Sequence, residues 1–311
     1  MYYDVLIAGG GIAGAVCGRL LAKHGFRCAV LERANGPFEK VCGGWLPYKT
    51  VRKLELFGLQ TNWLQAHGTA VTRGVIIEQN GNICNYPYSH DEYGLGVRRK
   101  LLHKFLIDGA LEAGCDVYYS TPVTNIQYDG CEYGLRDFTG KYLIMAIGTG
   151  CTDNMNKKTL YEGQSFGISE IIRAQTDLYE DIVYFWYPQH LSQHNDECCM
   201  PYISSKGYFW AIPIEKNTWN IGWWDIQSAN AAKAFQNGRE MYVSRHFRNI
   251  QTLRRPQGAF CGNRNHISDF QYPVLGAGDF VGCNNPDTGE GIFFALQSAV
   301  GLCAGIIQGK S

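Results

Sequence analysis

The chain has 311 residues, and its 28 lysines and arginines balance 28 aspartates and glutamates, so its formal charge is zero. That balance leaves no basic footprint for nucleic acid, and no run of 18 apolar residues predicts a transmembrane helix. The length suits one large domain or two intimate ones. The first predicted strand begins at residue 4, leaving no room for a signal peptide. Twelve cysteines at irregular spacing, without a zinc-type Cys-x-x-Cys pair, are expected to be free thiols in a reducing cytoplasm rather than disulfides. The eight histidines fall into no metal-ligand spacing.

Asp4 to Ala8 is a short apolar run and predicts a buried strand. Gly9-Gly10-Gly11 then turns the chain, and helical periodicity starts at Ile12, with Ala13, Val16, Cys17 and Leu20 on one face. Gly9, Gly11 and Gly14 supply the spacing that lets backbone approach a pyrophosphate at a helix N-terminus. Arg27 to Leu31 predicts the second strand, and Glu32 ends it. An acid at that point accepts hydrogen bonds from a ribose 2′-hydroxyl. The spacing predicts a helix over 48–57, a hairpin over 70–88 turning at Asn80-Gly81, a strand ending at Val97, and a helix over 99–113. Short strands follow over 116–147, with a turn at Asp129-Gly130, and Tyr142 to Ile147 reads as a buried strand ending at Gly148-Thr149-Gly150. Residues 151–160 carry no apolar period and predict a surface crossing.

From residue 162 to 227 the pattern becomes long and alternating, rich in aromatics, and predicts an antiparallel sheet. Tyr208, Trp210 and Ile212 should share one of its faces. A helix is expected over 229–247, after which the chain returns to the first domain. Near the C-terminus, Gly278-Asp279 follows a short apolar segment, Pro286 and Gly289 bend the chain, and Gly291 to Ile307 is helical. The two glycine-rich signals together describe two ends of one long cofactor, FAD. Its pyrophosphate is expected near residue 10 and its flavin ring near residue 290. The N-terminal N–H groups of the last helix, around Gly291 and Ile292, are placed to stabilise negative charge on the flavin. Glu290 either belongs to that site or merely complements the helix dipole.

The order of these motifs, with Arg99 heading a helix, resembles the p-hydroxybenzoate-hydroxylase-like flavoproteins, with Thr149 standing where that pattern usually has an acid. Val41-Cys42-Gly43-Gly44 and Tyr208-Phe209-Trp210-Ala211-Ile212-Pro213 look like two motifs of the geranylgeranyl reductase family. The second motif also resembles a strand of flavin-dependent halogenases, but Cys42 favours the reductases. The chain stops a few residues after its last helix, where isoprenoid-reducing relatives continue, so a smaller unsaturated or aromatic substrate stands beside a lipid one.

The resemblance implies an α/β fold: a Rossmann-like FAD-binding domain from residues 1–70, 95–160 and 266–311, with an inserted antiparallel β-sheet substrate domain from 71–94 and 161–265. It places Gly9, Gly11, Ala13, Gly14, Glu32, Arg33, Cys42, Gly43, Arg99, Gly278, Asp279, Gly289, Glu290, Gly291 and Ile292 at the cofactor. Cys42, Tyr208 and Trp210 face the substrate, with Cys42 and Tyr208 as proton-donor candidates against plain packing roles. The expected reaction is hydride transfer to a C=C bond of a hydrophobic small molecule. No second nucleotide-binding turn is present, so NAD(P)H binding transiently, or ferredoxin, serves as electron donor. A flavin-dependent monooxygenase or halogenase, and an FAD-binding protein without turnover, are the alternatives.

Overall fold

A computed structural model describes residues 1–79, 81–149, 165–187, 207–225, 230–261, 270, 272–285 and 288–309. From the N-terminus the chain forms β1 (Tyr2–Ala8), α1 (Ile12–Lys23), β2 (Cys28–Leu31), β3 (Trp45–Leu46), α2 (Tyr48–Leu56) and α3 (Asn62–Ala66). Next come β4 (Ala70–Thr72), β5 (Gly74–Gln79), β6 (Asn82–Pro87), β7 (Gly94–Gly96), α4 (Arg99–Glu112), β8 (Asp116–Tyr118), β9 (Gln127–Tyr128), β10 (Tyr133–Leu135) and β11 (Phe138–Met145). Beyond residue 164 lie β12 (Ser165–Thr176), β13 (Ile182–Tyr187), β14 (Tyr208–Glu215), β15 (Thr218–Asp225), α5 (Ala231–Gly238), a π turn (Arg239–Val243) and α6 (Ser244–His246). The chain ends with β16 (Phe247–Cys261), β17 (Leu275–Gly276) and α7 (Ile292–Gln308).

The first sheet has seven strands, ordered β8-β2-β1-β11-β10-β9, with β17 also paired to β11. β8, β2, β1, β11 and β17 run parallel, and β10 and β9 form an antiparallel edge. Helices must therefore cover the parallel strands. Val5 and Ile7 face α1, α4 and α7 through Val16, Leu106 and Leu296, while Tyr3 and Leu6 face the opposite side with Phe138 and Phe280. The turn at residue 129 forms because Asp129 accepts hydrogen bonds from the backbone N–H groups of Cys131 and Glu132, each at 2.9 Å.

The second sheet also has seven strands, ordered β16-β12-β15-β14-β13-β5-β6. It differs from the purely antiparallel expectation at one joint, because β13 pairs with β5 in parallel. β5 arrives from far upstream, so its direction is not bound by a hairpin to β13. β5 and β6 pair from Gly74↔Pro87 to Gln79↔Asn82; the predicted turn residue Asn80 lies outside the described residues, as do the crossing 151–160, Gly150 and Pro286.

A strand not predicted from the sequence is β16, 15 residues long, over residues expected to belong to the substrate domain. Its sequence carries Arg248, Asn249, Gln251, Arg254, Arg255 and Gln257, and most of it is solvent-exposed, so it shows no apolar alternation. Pairing with β12 holds it in place, across three register shifts.

The alternation on β14 is regular. Phe209 and Ala211 pack with Trp219, Trp223 and α5 on one face. Tyr208, Trp210 and Ile212 pack with Trp224 and Val183 on the other. That second face turns toward the first sheet. A small third sheet, β3-β7-β4, lies beside β14: a Cβ at Gly96 would stand 1.7 Å from the Pro213 carbonyl oxygen.

Candidate functional site

A cavity of about 1350 Å³ runs from the Gly9 turn to the aromatic face of β14. Its lining includes Gly9, Gly11, Ala13, Glu32, Arg33, Cys42, Gly43, Arg99, Tyr208, Trp210, Gly278, Asp279, Gly289, Glu290, Gly291 and Ile292. Of the residues singled out from sequence, Gly14 alone is not on its wall, and the reason is local. A Cβ on Gly14 would lie 1.9 Å from the Gly9 carbonyl oxygen, so this glycine sets how closely α1 approaches β1. Gly9 has φ +101°, a left-handed conformation that favours glycine. No side chain caps α1 and its first turn holds no acid, so its N–H groups are available to an anion.

Glu32 is buried at the end of β2, and its two oxygens accept from Gly10 N at 2.6 Å and Ala34 N at 2.8 Å. Each oxygen keeps a further lone pair for a ribose hydroxyl. Arg33 is exposed beside it.

Arg99 begins α4 and is buried on the cavity wall. Its Nη2 donates to His103 Nε2 at 2.9 Å, and its Nε has no partner among the described residues. His103 Nδ1 then donates to the Phe38 carbonyl at 2.8 Å, which fixes the neutral tautomer. Burial, with the Arg99 guanidinium beside it, pushes the imidazole down from 6.5 to about 3. An unfolded chain takes up a proton at His103 as the pH falls through 6.5, whereas the folded chain does not until about 3. Stability from this site is therefore present above pH 6.5 and lost as the pH falls toward 3. The slope is at most about 1.4 kcal/mol per pH unit. Denaturant titrations at a series of pH values should show His103→Gln flattening this dependence.

At the far end, Gly278 has φ +69°, and a Cβ there would stand 3.1 Å from the Ala13 Cβ, so the C-terminal loop meets α1 directly. Asp279 Oδ2 pairs with Lys40 Nζ at 2.7 Å. Gly289 has φ +67°, and a Cβ there would meet Trp224 Nε1 at 2.3 Å. Glu290 Oε2 pairs with Lys49 at 3.0 Å, while its Oε1 is buried without a partner among the described residues. Neither amide atom of Asn284 has a partner there either, and Asn284 lines the cavity. Cys283, its neighbour, does not.

The loop carrying Cys42 rests on the aromatic face. Trp210 Nε1 donates to Asn220 Oδ1 at 3.1 Å, and Asn220 Nδ2 donates to the Cys42 carbonyl at 2.7 Å. A Cβ on Gly43 would lie 2.7 Å from Ile212 Cδ1, and Gly44, at φ +75°, passes against the Val97 carbonyl. The Cys42 thiol accepts from Gly44 N at 3.3 Å. Asn220→Ala would leave the buried Trp210 N–H and the half-buried Cys42 carbonyl unpartnered. At about 1–3 kcal/mol for each such group, a loss of roughly 2–6 kcal/mol is expected in chemical denaturation. Tyr208 donates its hydroxyl hydrogen to the Thr288 carbonyl, and burial pushes its phenol well above the ordinary range. That bond ties Tyr208 to the loop before α7.

Sequence reasoning missed Lys40, Lys49, His103, Asn220 and Asn284. His103 had a signal, since it lies four residues after Arg99 on one helix face. The lysines had none, because their acidic partners lie 239 and 241 residues away.

Among the described residues, no cluster of His, Cys, Asp and Glu is arranged to hold a metal. The nine cysteines among them are free. No described helix is long and apolar enough to cross a membrane.

The comparisons with known proteins agree with this wall of glycines and unpartnered polar atoms. Residues 2–134 match the model of the FAD binding domain family. Over those residues the chain is similar to FAD binding domains. Its cofactor is FAD. Over 329 residues it is 24% identical to menaquinone reductase of Mycobacterium tuberculosis, covering 95% of this chain and 74% of that protein. To the digeranylgeranylglycerophospholipid reductase of Thermoplasma acidophilum it is 22% identical, with 96% and 76% covered. The structure of a flavin-dependent brominase superposes with a TM-score of 0.76 at 18% identity, covering 99% of this chain and 79% of that one. The resemblance to geranylgeranyl reductases therefore holds, at low identity, and the α/β fold is shared with halogenases.

The unpartnered Arg99 Nε, Asn284 amide and Glu290 Oε1, and the bare α1 N-terminus, fit such a cofactor. Gly9 and Gly11 would hold its pyrophosphate end and Glu32 its ribose. Gly289 to Ile292 would hold its ring.

Proposed function

We propose that the protein reduces a C=C bond of a hydrophobic small molecule. One observation carries this reading: the cavity that begins at the Gly9 turn continues without a break to the wall of Phe185, Tyr208, Trp210 and Trp224, with Cys42 between. Bound and reduced, FAD supplies the hydride. The residues must then exclude water, orient an apolar substrate and deliver one proton to the second carbon. The aromatic wall excludes water and offers flat faces to a conjugated ligand. Trp210 is fixed by Asn220, so its ring is a rigid surface. Cys42 lines the cavity, and among the described residues its thiol donates to no carbonyl, whereas the Tyr208 hydroxyl donates to that of Thr288. Cys42 is therefore assigned the proton transfer, and Tyr208 the anchoring of Thr288. The second sheet, with residues 71–94 and 161–265, serves as the substrate domain on this reading, and the cytoplasm as the compartment. Two reductases among the relatives support the reaction class.

The likeness to the brominase favours a second reading, oxygen-dependent chemistry on an aromatic substrate. Product mass separates the two. Incubation under argon with NAD(P)H or reduced ferredoxin and a panel of alkenes from short enoates to prenyl lipids is expected to add two hydrogen atoms to one substrate. A product carrying oxygen or halogen, formed only in air, would replace this reading with the second.

A further inference from the structure

His103 is buried, lines the cofactor cavity and has no role in the reaction described above. Its two ring nitrogens join two separate segments. Nε2 accepts from Arg99 Nη2 at 2.9 Å, and Nδ1 donates to the Phe38 carbonyl at 2.8 Å. The ring also packs on Phe38, with centroids 4.2 Å apart. Arg99 is the buried cation at this point of the wall, and its Nε is left without a partner among the described residues. A guanidinium with one edge held by an imidazole cannot rotate that edge into the cavity. It presents the remaining N–H groups in a single orientation, and a fixed fork binds an anionic oxygen better than a mobile one. Residues 38–44, which carry Lys40 and Cys42, are tied to α4 by the same ring.

We infer that His103 is a positioning residue that aims Arg99 at the anionic part of FAD, acting through its Nε2 rather than through its packing. The inference rests on the placement of Arg99 at the cofactor, and the test keeps the two apart. The full-length apoprotein is titrated with FAD, following quenching of flavin fluorescence, in wild type, R99A, H103Q, H103N and the R99A/H103N pair. Glutamine at 103 keeps an acceptor within reach of Arg99 and gives up the bond to Phe38. Asparagine keeps the donor near Phe38 but is too short to reach Arg99. One charge-assisted hydrogen bond corresponds to roughly tenfold in affinity.

R99A and H103N should each raise the FAD dissociation constant about tenfold or more, H103Q should stay within about threefold of wild type, and H103N should have no further effect in the R99A background. If R99A binds FAD like wild type, Arg99 is not at the cofactor and the underlying placement fails. Where R99A weakens binding but H103N does not, or H103Q is as weak as H103N, the aiming role is overturned. An equal loss from H103N with and without Arg99 would likewise reduce His103 to packing.

Discussion

Gly14→Ala is expected to yield a colourless protein that takes up FAD poorly. An alanine replacing glycine inside a helix ordinarily stabilises it, by about 0.5–1 kcal/mol. Here the sign reverses. The added Cβ would stand 1.9 Å from the Gly9 carbonyl oxygen and 3.4 Å from the Ala146 Cβ, both fixed by the first sheet. Neither neighbour is the free end of a flexible side chain, so α1 must move away from β1. Overpacking of this kind costs about 1–3 kcal/mol. The greater loss is functional, because the displaced helix carries the N–H groups meant for the pyrophosphate. Losing two hydrogen bonds to a charged group corresponds to roughly 100-fold or more in FAD affinity. Gly301→Ala in α7 is the control: a Cβ there meets nothing within 4 Å, so it should raise the melting temperature and leave FAD binding intact. FAD titration and thermal melts of both variants check the contrast.

Cys42→Ala should retain FAD and lose turnover. The thiol accepts from the backbone N–H of Gly44 at 3.3 Å, so alanine leaves that buried donor unpartnered, at about 1–3 kcal/mol of stability. The anchoring of the loop through Asn220 uses the Cys42 carbonyl, which alanine keeps. The variant should therefore be somewhat less stable but still fold and take up the cofactor. A positioned general acid contributes about 10²–10⁴-fold, and kcat should fall by an amount in that range. Cys42→Ser, whose hydroxyl can pass a proton less readily, should fall between the two. Wild-type turnover by the alanine variant would return Cys42 to packing.

The first sheet was readable because its signals are local and in order. An apolar strand, three glycines, a helical period and Glu32 fall within 32 residues, and each has a mechanical reason. The β14 face was readable for the same reason, since alternation alone separates Trp210 from Phe209. β16 was not, because its residues are polar on both faces and only pairing with β12 makes it a strand. The parallel joint of β13 with β5 was hidden too, since nothing local encodes which distant strand fills that position. At the site, the glycines and acids announce themselves by spacing. Their partners do not: Lys40 meets Asp279 only after the chain has folded across the cavity. The bond made by Tyr208 was hidden for a similar reason, because its acceptor is the backbone of Thr288, which no side-chain pattern reveals.

On the proposed reading the reduced flavin passes its electrons to an alkene without oxygen. Stopped-flow absorbance follows this transfer: the FAD-loaded protein is photoreduced under argon and mixed with each member of the alkene panel. Rapid return of the oxidised flavin spectrum is expected with one hydrophobic alkene, and loss of that phase in Cys42→Ala. Reoxidation that occurs only when oxygen is admitted, and is accelerated by an aromatic ligand, would contradict that reading.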